Sequence, residues 1–305
     1  MDPKNFNYVL LVAIIGGFGI TLALQGYQIV TLTGGGATGQ QTVTLDIEGS
    51  TTCEPIISAA AVEYMNINRD WNIYVSGTGS GDGIAAVESE NADIGMASRN
   101  LKGSENTTGK LIDHEFAFDG IAVVVGSGVS FDNDNFINFS TIVGIYNQTW
   151  TDWGNVPGCT SSGTINVYVR GSESGTRSTF ESITGLATAE NWPNAATFHT
   201  EVASNGDMQS NIQSDSLGIG YVGLGFMSGV QELRVSPDIP SNAYYPTTTT
   251  VSEGNYPISR SLHLFTSGPA TGATKAFLDF IYSPMGQEIV AEQDFVSIYN
   301  GTLFK

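Results

Sequence analysis

Three loops of the chain combine glycine with serine or threonine, and each lies between an apolar strand pattern and a helical pattern. They are residues 48–52, 76–83 and 171–176. A helix N-terminus has unpaired N–H groups and about half a positive charge, so it binds oxyanions without a lysine or arginine. Glycine lets the backbone approach a ligand, and Ser and Thr hydroxyls donate hydrogen bonds. Three such helix ends meeting in one cleft would bind a tetrahedral anion.

Arg170 is placed to add a guanidinium to these loops, because it ends the strand pattern before the third loop and can make a bidentate contact with an oxyanion. Taken singly, each feature has an ordinary explanation. The loop at 49–52 is more often a helix cap than a ligand site, and Arg170 alone could form a surface ion pair. The glycine-rich loop at 77–83 is not followed by Gly-Lys-Ser/Thr, which disfavours nucleotide hydrolysis. Their joint occurrence in three strand–loop–helix units favours an anion site.

The order of the patterns predicts the fold that positions these loops. Apolar strand patterns alternate with helical patterns, which is typical of an α/β fold with a mainly parallel sheet. A helix is expected from Pro55 onwards, and a short one at 84–88. The apolar runs suit buried parallel strands. The expected strands are 43–47, 71–75, 121–125, 165–170 and 217–222.

Length and charge restrict the classes of protein to which the chain can belong. At 305 residues the chain is long enough for two lobes. Lys plus Arg number 11 against 30 Asp plus Glu, and the net charge of −19 argues against nucleic acid as a partner. Charged residues make up 13% of the chain, and Gly, Ser, Thr and Asn are abundant, which indicates a secreted or cell-surface protein.

The N-terminal segment is strongly apolar. Residues 5–45 contain no charged residue, and 8–24 form a nearly continuous apolar run, close to the roughly 20 residues that span a bilayer. We expect an anchor helix at 1–33, a Gly/Thr-rich spacer at 34–42, and the folded part outside the cell, at the cell surface. A cleaved signal peptide is the alternative, although residues 23–25 make a poor cleavage site.

Two further sets of residues bear on the compartment. Four Asn-x-Ser/Thr acceptors are compatible with a glycoprotein, at Asn106, Asn138, Asn147 and Asn300. Cys53 and Cys159 could form a disulfide or remain free, and the free state is favoured because Cys53 adjoins a loop that is expected to move.

The three histidines show no metal-ligand or nucleophile–base spacing, so the sequence predicts neither catalysis nor a cofactor.

Over about residues 43–300 the chain resembles the phosphate-binding receptors of phosphate ABC transporters. An arginine followed after three residues by Ser-Gly-Thr is the most specific element of this resemblance. The motifs occur in the order typical of that family: GST at 49–51, GSG at 79–81, ADIGMASR at 92–99, FDGIAV at 118–123, WTDW at 150–153, RGSESGT at 170–176, GIGYV at 218–222 and YPISR at 256–260.

The resemblance implies a two-lobed periplasmic-binding-protein-like fold of type II with a two-strand hinge. Lobe 1 would comprise 43–122 plus 256–305, and lobe 2 would comprise 123–255. It also implies that the lobes close over phosphate and that an ABC permease is the partner. The site residues that it implies are Ser50, Thr51, Ser80 and Ser98 from lobe 1, and Arg170, Ser174, Gly175 and Thr176 from lobe 2.

One departure concerns selectivity. A branch of the family has an aspartate where this chain has Ser98, and that carboxylate accepts a proton from bound phosphate. Asp119 is the candidate replacement, and a brace at the hinge is the equal alternative for it. Asp82 and Asp93 are weaker candidates.

The resulting hypothesis is an extracellular, membrane-tethered protein that captures inorganic phosphate for an ABC importer. Two alternatives stay open. One is a structural surface or filament subunit that retains the fold and self-assembles through the N-terminal helix. The other is a receptor for another oxyanion, such as sulfate.

Overall fold

The structure is a computed structural model that describes residues 20–21, 31–32, 42–190, 192 and 198–300. Residues 1–42 and 43–305 form separate units. In the first unit, strands β1 (Ile20–Thr21) and β2 (Thr31–Leu32) pair antiparallel. These four residues are extended where a helix is expected, and the rest of the expected anchor and nearly all of the spacer lie outside the described residues. Within the described ranges, no helix combines the length and apolar composition needed to cross a membrane.

The second unit contains the other elements. Its strands are β3 (Val43–Gly49), β4 (Trp71–Gly77), β5 (Ile94–Ala97), β6 (Leu111–Val125), β7 (Phe136–Asn138), β8 (Asn166–Arg170), β9 (His199–Val202), β10 (Gly218–Gly223), β11 (Gln231–Glu232), β12 (Arg234–Ser236), β13 (Ser259–Ser267) and β14 (Val296–Ser297). Its helices are α1 (Glu54–Ile67), α2 (Ser80–Glu88), α3 (Asp132–Asn135), α4 (Phe139–Tyr146), α5 (Gly175–Thr184), α6 (Asn205–Ser214), α7 (Thr248–Ser252), α8 (Gly272–Ile281) and α9 (Pro284–Glu292).

One mixed sheet joins the two lobes. Its strand order is β4-β3-β5-β13-β6-β10-β8-β9, with β11 and β14 also paired to β6. The long strand β6 exchanges partners within its length, since it pairs with β13 as far as Gly120 and with β10 from Ile121. We name the half with β4, β3, β5 and β13 lobe 1, and the half with β10, β8 and β9 lobe 2. The expected boundaries at 122/123 and 255/256 lie close to this exchange and stay a prediction.

The structure corrects one expectation about strand direction. The runs 121–125 and 217–222 do form buried strands, but β6 is antiparallel to both β10 and β13. Of the pairings that β6 and β10 make, only that of β10 with β8 is parallel. An apolar run reports burial of both faces, and it carries no information about the direction of its partner.

The strand directions bring the three loops together between the lobes. Strand β3 is parallel to β4 and β5 in lobe 1, and β8 is parallel to β9 and β10 in lobe 2. The carboxyl ends of β3 and β4 point towards lobe 2, in the direction in which β6 crosses. Strand β8 runs the opposite way within the mixed sheet, so its carboxyl end points towards lobe 1. The loops after β3, β4 and β8 therefore face one another between the lobes. Helix α2 begins at Ser80, four residues before the expected start at Ile84. Gly81 and Gly83 have low helix propensity, so the sequence pattern does not show this first turn.

Each lobe has its own apolar core. In lobe 1, Ile47 of β3 and Ile56 of α1 pack with Phe277 of α8. In lobe 2, Phe180 of α5 stacks on Tyr221 of β10 with 4.2 Å between ring centroids. Burial of such side chains contributes about 1.5–3 kcal/mol each, so the helices that carry the loops are held firmly on the sheet.

The two cysteines are free. The Cys53 Sγ donates to Ala97 O at 3.5 Å, and burial raises the pKa of this thiol to about 12. Cys159 is only partly buried, and its Sγ lies 3.9 Å from Ser161 O. The Cys53 thiol is therefore protonated at neutral pH and behaves as a small core side chain.

Candidate functional site

The first loop brings three buried hydroxyls to the N-terminus of α1. Gly49 has a φ of +134°, and a Cβ there would lie 2.2 Å from Met96 O, so the position requires glycine. Ser50 N donates to Met96 O at 2.9 Å, and Ser50 Oγ accepts from Thr52 N at 3.2 Å. Ser50, Thr51 and Thr52 are all buried. The loop is thus fixed against β5 while its hydroxyls remain close together.

The N-terminus of α2, at the end of the second loop, brings Ser80 next to Ser98. Ser80 is the first residue of α2, and Ser98 follows β5. Ser80 Oγ lies 3.3 Å from Ser98 Oγ and accepts from Ser98 N at 3.1 Å. Both side chains are buried. Lobe 1 therefore presents a second group of hydroxyls at a helix N-terminus.

Arg170 ends β8 and is 1% exposed. Its Nη2 donates to Thr51 Oγ1 at 3.2 Å and to Ala203 O at 2.8 Å. Its Nε and Nη1 are buried and have no hydrogen-bond partner among the described residues. Burial lowers the pKa of Arg170, yet a guanidinium stays charged at neutral pH. Buried donors without an acceptor cost about 1–3 kcal/mol each, so these two indicate an anionic ligand.

The backbone of Arg170 is held from both sides. Arg170 N donates to the Tyr221 hydroxyl at 3.1 Å, and Arg177 Nη1 donates to Arg170 O at 2.7 Å. Arg177 in turn pairs with Glu181 at 2.6 Å on the next turn of α5. These contacts fix the direction in which the guanidinium leaves the strand.

The third loop ends at the N-terminus of α5, which faces lobe 1. Ser174 caps the helix by accepting from Arg177 N at 3.2 Å. A Cβ on Gly175 would lie 2.3 Å from Ser80 Oγ and 2.6 Å from Ser98 Oγ, so Gly175 closely approaches both. Thr176 Oγ1 lies 3.0 Å from Thr52 Oγ1. The three helix N-termini therefore meet between the lobes.

Asp119 forms a buried ion pair with Arg260. Arg260 Nη2 and Nε donate to Asp119 Oδ2 at 2.6 and 3.0 Å, and Leu224 N donates to Oδ1 at 3.0 Å. Burial raises the pKa of Asp119, and the Arg260 charge opposes that rise. Arg260 also donates to Ser98 Oγ at 3.2 Å and to Thr52 Oγ1 at 3.1 Å. The ion pair thus connects β6 and β13, the strands that carry Asp119 and Arg260, to Ser98 and to the first loop.

The structure brings the predicted site residues together in one place, and their roles toward a ligand stay a prediction. The weaker candidates differ from them. Asp93 accepts from Asp46 N at 2.8 Å on the exposed surface. Asp82 lies in the first turn of α2, where burial, followed by the nearby charge of Glu173, raises its pKa. The predicted residues that meet are Ser50, Thr51, Ser80, Ser98, Asp119, Arg170, Ser174, Gly175 and Thr176.

Three residues at the site are not among the site residues that the sequence predicts. Thr52 lies in the first loop, but nothing in the pattern separates it from its neighbours. Arg260 lies in the YPISR motif, and its pairing with Asp119 spans 141 residues. Asn205 is fully buried at the start of α6, where its Nδ2 donates to Thr52 Oγ1 at 2.9 Å. The position of Asn205 after a capping serine reads as an ordinary helix start.

The assembled site is rich in donors. Both oxygens of Asp119 are engaged by protein groups, so Arg170, hydroxyls and helix N-termini dominate the space between the lobes. Among the residues that the structure describes, no cluster of His, Cys, Asp or Glu could hold a metal ion. Such an arrangement can bind an oxyanion through hydrogen bonds and charge.

This fold and this site define a two-lobed solute-binding protein, in which a ligand is held between two α/β lobes joined by crossing strands. The chain belongs to the PBP superfamily, whose domain model matches residues 35–285.

Several proteins of known name are similar over most of the chain. The "Phosphate-binding protein PstS" of Borreliella burgdorferi is 28% identical over 83% of this chain and 90% of its own length. The protein of the same name in Bacillus subtilis is 29% identical over 83% and 80%. A phosphate-bound structure of a putative phosphate ABC transporter substrate-binding protein from Clostridium perfringens is 28% identical, with a TM-score of 0.73, over 84% of this chain and 99% of that one.

Proposed function

We propose that this protein binds inorganic phosphate between its two lobes and delivers it to an ABC importer. Arg170 carries the proposal, because two of its buried donors have no partner among the described residues. Its third donor group contacts Thr51 in a site made of hydroxyls and helix N-termini. A tetrahedral anion can accept from donors on several sides at once, which suits three converging helix ends. The names and bound ligand of the similar proteins support phosphate as that anion.

Asp119 bears on the choice between phosphate and sulfate. Its oxygens accept from Arg260 and Leu224, so we propose that it braces the hinge and holds Arg260 in place. Discrimination then depends on the hydroxyls, which can accept as well as donate a hydrogen bond. Phosphate carries a proton at neutral pH and sulfate does not, so an available hydroxyl acceptor favours phosphate.

Titration calorimetry tests the function directly. A chain beginning at Gln41 is expected to bind one phosphate, with sulfate competing weakly. A folded protein that gives no heat with phosphate would contradict the proposal. Equal affinity for sulfate would instead make it a receptor for oxyanions in general.

Gly175→Ala tests whether the close contact between the lobes is needed for binding. The new Cβ would lie 2.3 Å from Ser80 Oγ, and overpacking costs about 1–3 kcal/mol, or about 5- to 150-fold in Kd for phosphate. Gly103→Ala is the matched control, because a Cβ there meets nothing within 4 Å. Calorimetry of both variants gives the comparison, and equal Kd values would contradict the proposed closure.

We also propose that the protein works outside the cell, tethered by its apolar N-terminal segment and modified with sugar at some of its four acceptors. The support is the uncharged run of residues 5–45, whose apolar part is close to the length that spans a bilayer. Self-assembly through this segment is the alternative. Loss of membrane association on removal of residues 1–40 is expected, and an unchanged membrane fraction would argue against the tether.

A further inference from the structure

Among the hydrogen bonds that join the two lobes, one group connects four side chains, which we name the interlobe latch: Thr51, Thr52, Thr176 and Asn205. Asn205 Nδ2 donates to Thr52 Oγ1 at 2.9 Å and to Thr51 Oγ1 at 3.2 Å. Thr52 Oγ1 and Thr176 Oγ1 are 3.0 Å apart. Thr51 and Thr52 belong to lobe 1, whereas Asn205 and Thr176 belong to lobe 2. All four side chains are buried, and Asn205 is 0% exposed.

We infer that Asn205 is a closure residue, whose amide holds lobe 1 against lobe 2 and thereby sets how long a bound anion stays. The inference rests on the proposed function. Within lobe 2 the amide is oriented by Gly223 N, which donates to Asn205 Oδ1 at 3.4 Å. The capping contact of Ser204 with Asp207 N fixes the start of α6. The amide is therefore positioned before the lobes meet.

The expected effect is on the rates of both release and capture. The bonds of Asn205 join protein groups, so they favour the closed form whatever the ligand contributes. Two neutral hydrogen bonds change an equilibrium by about tenfold in total. Phosphate enters and leaves while the lobes are apart, so a larger open fraction speeds both steps. Loss of the amide should therefore speed release.

The chain contains its own reporter of closure. Gly81 N lies in the first turn of α2 and donates across the lobes to Glu173 O at 3.0 Å. Amides in the first turn of a helix have no partner within the helix. Exchange of the Gly81 amide hydrogen with solvent is therefore slow only while the lobes are together.

The experiment compares the full-length wild type with Asn205→Ala by stopped-flow phosphate release and by Gly81 amide exchange. Release is expected to become about tenfold faster, and association should speed up as far as the open fraction of the ligand-free protein grows. Gly81 exchange without phosphate should accelerate by a similar factor. Asn211→Ala on the same helix is the matched control, because among the described residues its side-chain amide donates only to Asp207 O. It should leave both measurements unchanged.

The other possible results also decide whether Asn205 holds the lobes together. Unchanged release in Asn205→Ala overturns the latch. Faster release with unchanged Gly81 exchange also overturns it, because Asn205 would then act as a direct ligand contact. If Asn205→Ala does not fold, Thr52→Val removes the shared hydroxyl with little change of shape, and Thr52→Ser should stay close to wild type. A wild type that binds no phosphate refutes the proposed function, while Gly81 exchange in Asn205→Ala still tests the latch.

Discussion

Arg170→Ala is expected to weaken phosphate binding by about 3–5 kcal/mol, or roughly a hundredfold to several thousandfold in Kd. The variant removes two buried donors, Nε and Nη1, that have no partner among the described protein groups. It also removes the contact of Nη2 with Thr51 Oγ1 between the lobes. Bonds from a charged donor to an anion are about twice as strong as neutral ones, so the loss should exceed that for any single hydroxyl. Titration calorimetry at fixed salt measures it.

Two further variants separate charge from geometry. Arg170→Lys keeps a positive charge and loses the planar fork, so its affinity should fall between those of the wild type and Arg170→Ala. Arg69→Ala removes an exposed arginine between α1 and β4, and it should leave Kd unchanged. If Arg170→Ala lost no more affinity than Arg69→Ala, Arg170 would have no part in the site.

Asp119→Asn is expected to lower the free energy of unfolding by about 3–5 kcal/mol, because removal of one partner leaves the other charge buried and uncompensated. Asp119 is 0% exposed and the Arg260 side chain only 3%. The substitution keeps the shape of the side chain, so lost packing contributes little. It also places an amide donor where Arg260 needs an acceptor. Urea unfolding monitored by circular dichroism measures the change.

Asp279→Asn provides the matched control. Asp279 pairs with Lys275 at 2.6 Å, but both side chains are more than half exposed. Such pairs contribute less than about 1 kcal/mol, so this variant should remain near wild type in stability. A loss in Asp119→Asn no larger than in Asp279→Asn would contradict the proposed brace.

The same Asp119 variant distinguishes the two roles considered for this residue. As a brace it holds Arg260 on Ser98 and Thr52, so its loss should weaken phosphate and sulfate binding together. As a proton acceptor it would repel sulfate, so its removal should improve sulfate binding relative to phosphate. The ratio of the two Kd values therefore decides between the roles, provided that the folded fraction is measured at the same temperature.

The loops at the site were accessible from the sequence because their signals are local. Gly49, Ser80 and Gly175 stand where a strand gives way to a helix, and the chemistry of a helix N-terminus follows from that position alone. Arg170 was found for the same reason. The fold class followed from the alternation of patterns over the whole chain.

Long-range pairing was beyond the reach of the sequence. Nothing near Arg260 shows that its partner is Asp119, and the position of Asn205 looks like any capped helix start. The direction of β6 was also hidden, because residues 121–125 are buried on both faces whichever way the neighbouring strand runs. These features depend on how the lobes are assembled, and each element alone is compatible with several assemblies.

Strand β6 has a mechanical consequence, because it passes from one lobe to the other without a break. It is bonded to β13 before the crossing and to β10 after it, so a sideways bend would break backbone pairs. Ile121 N also donates to Ile258 O at 2.7 Å, which ties the two crossings together. Opening must therefore be taken up as a small twist spread over both crossings. Such a joint is softest towards twisting, so lobes that open and close about it would bring their rims back to the same alignment.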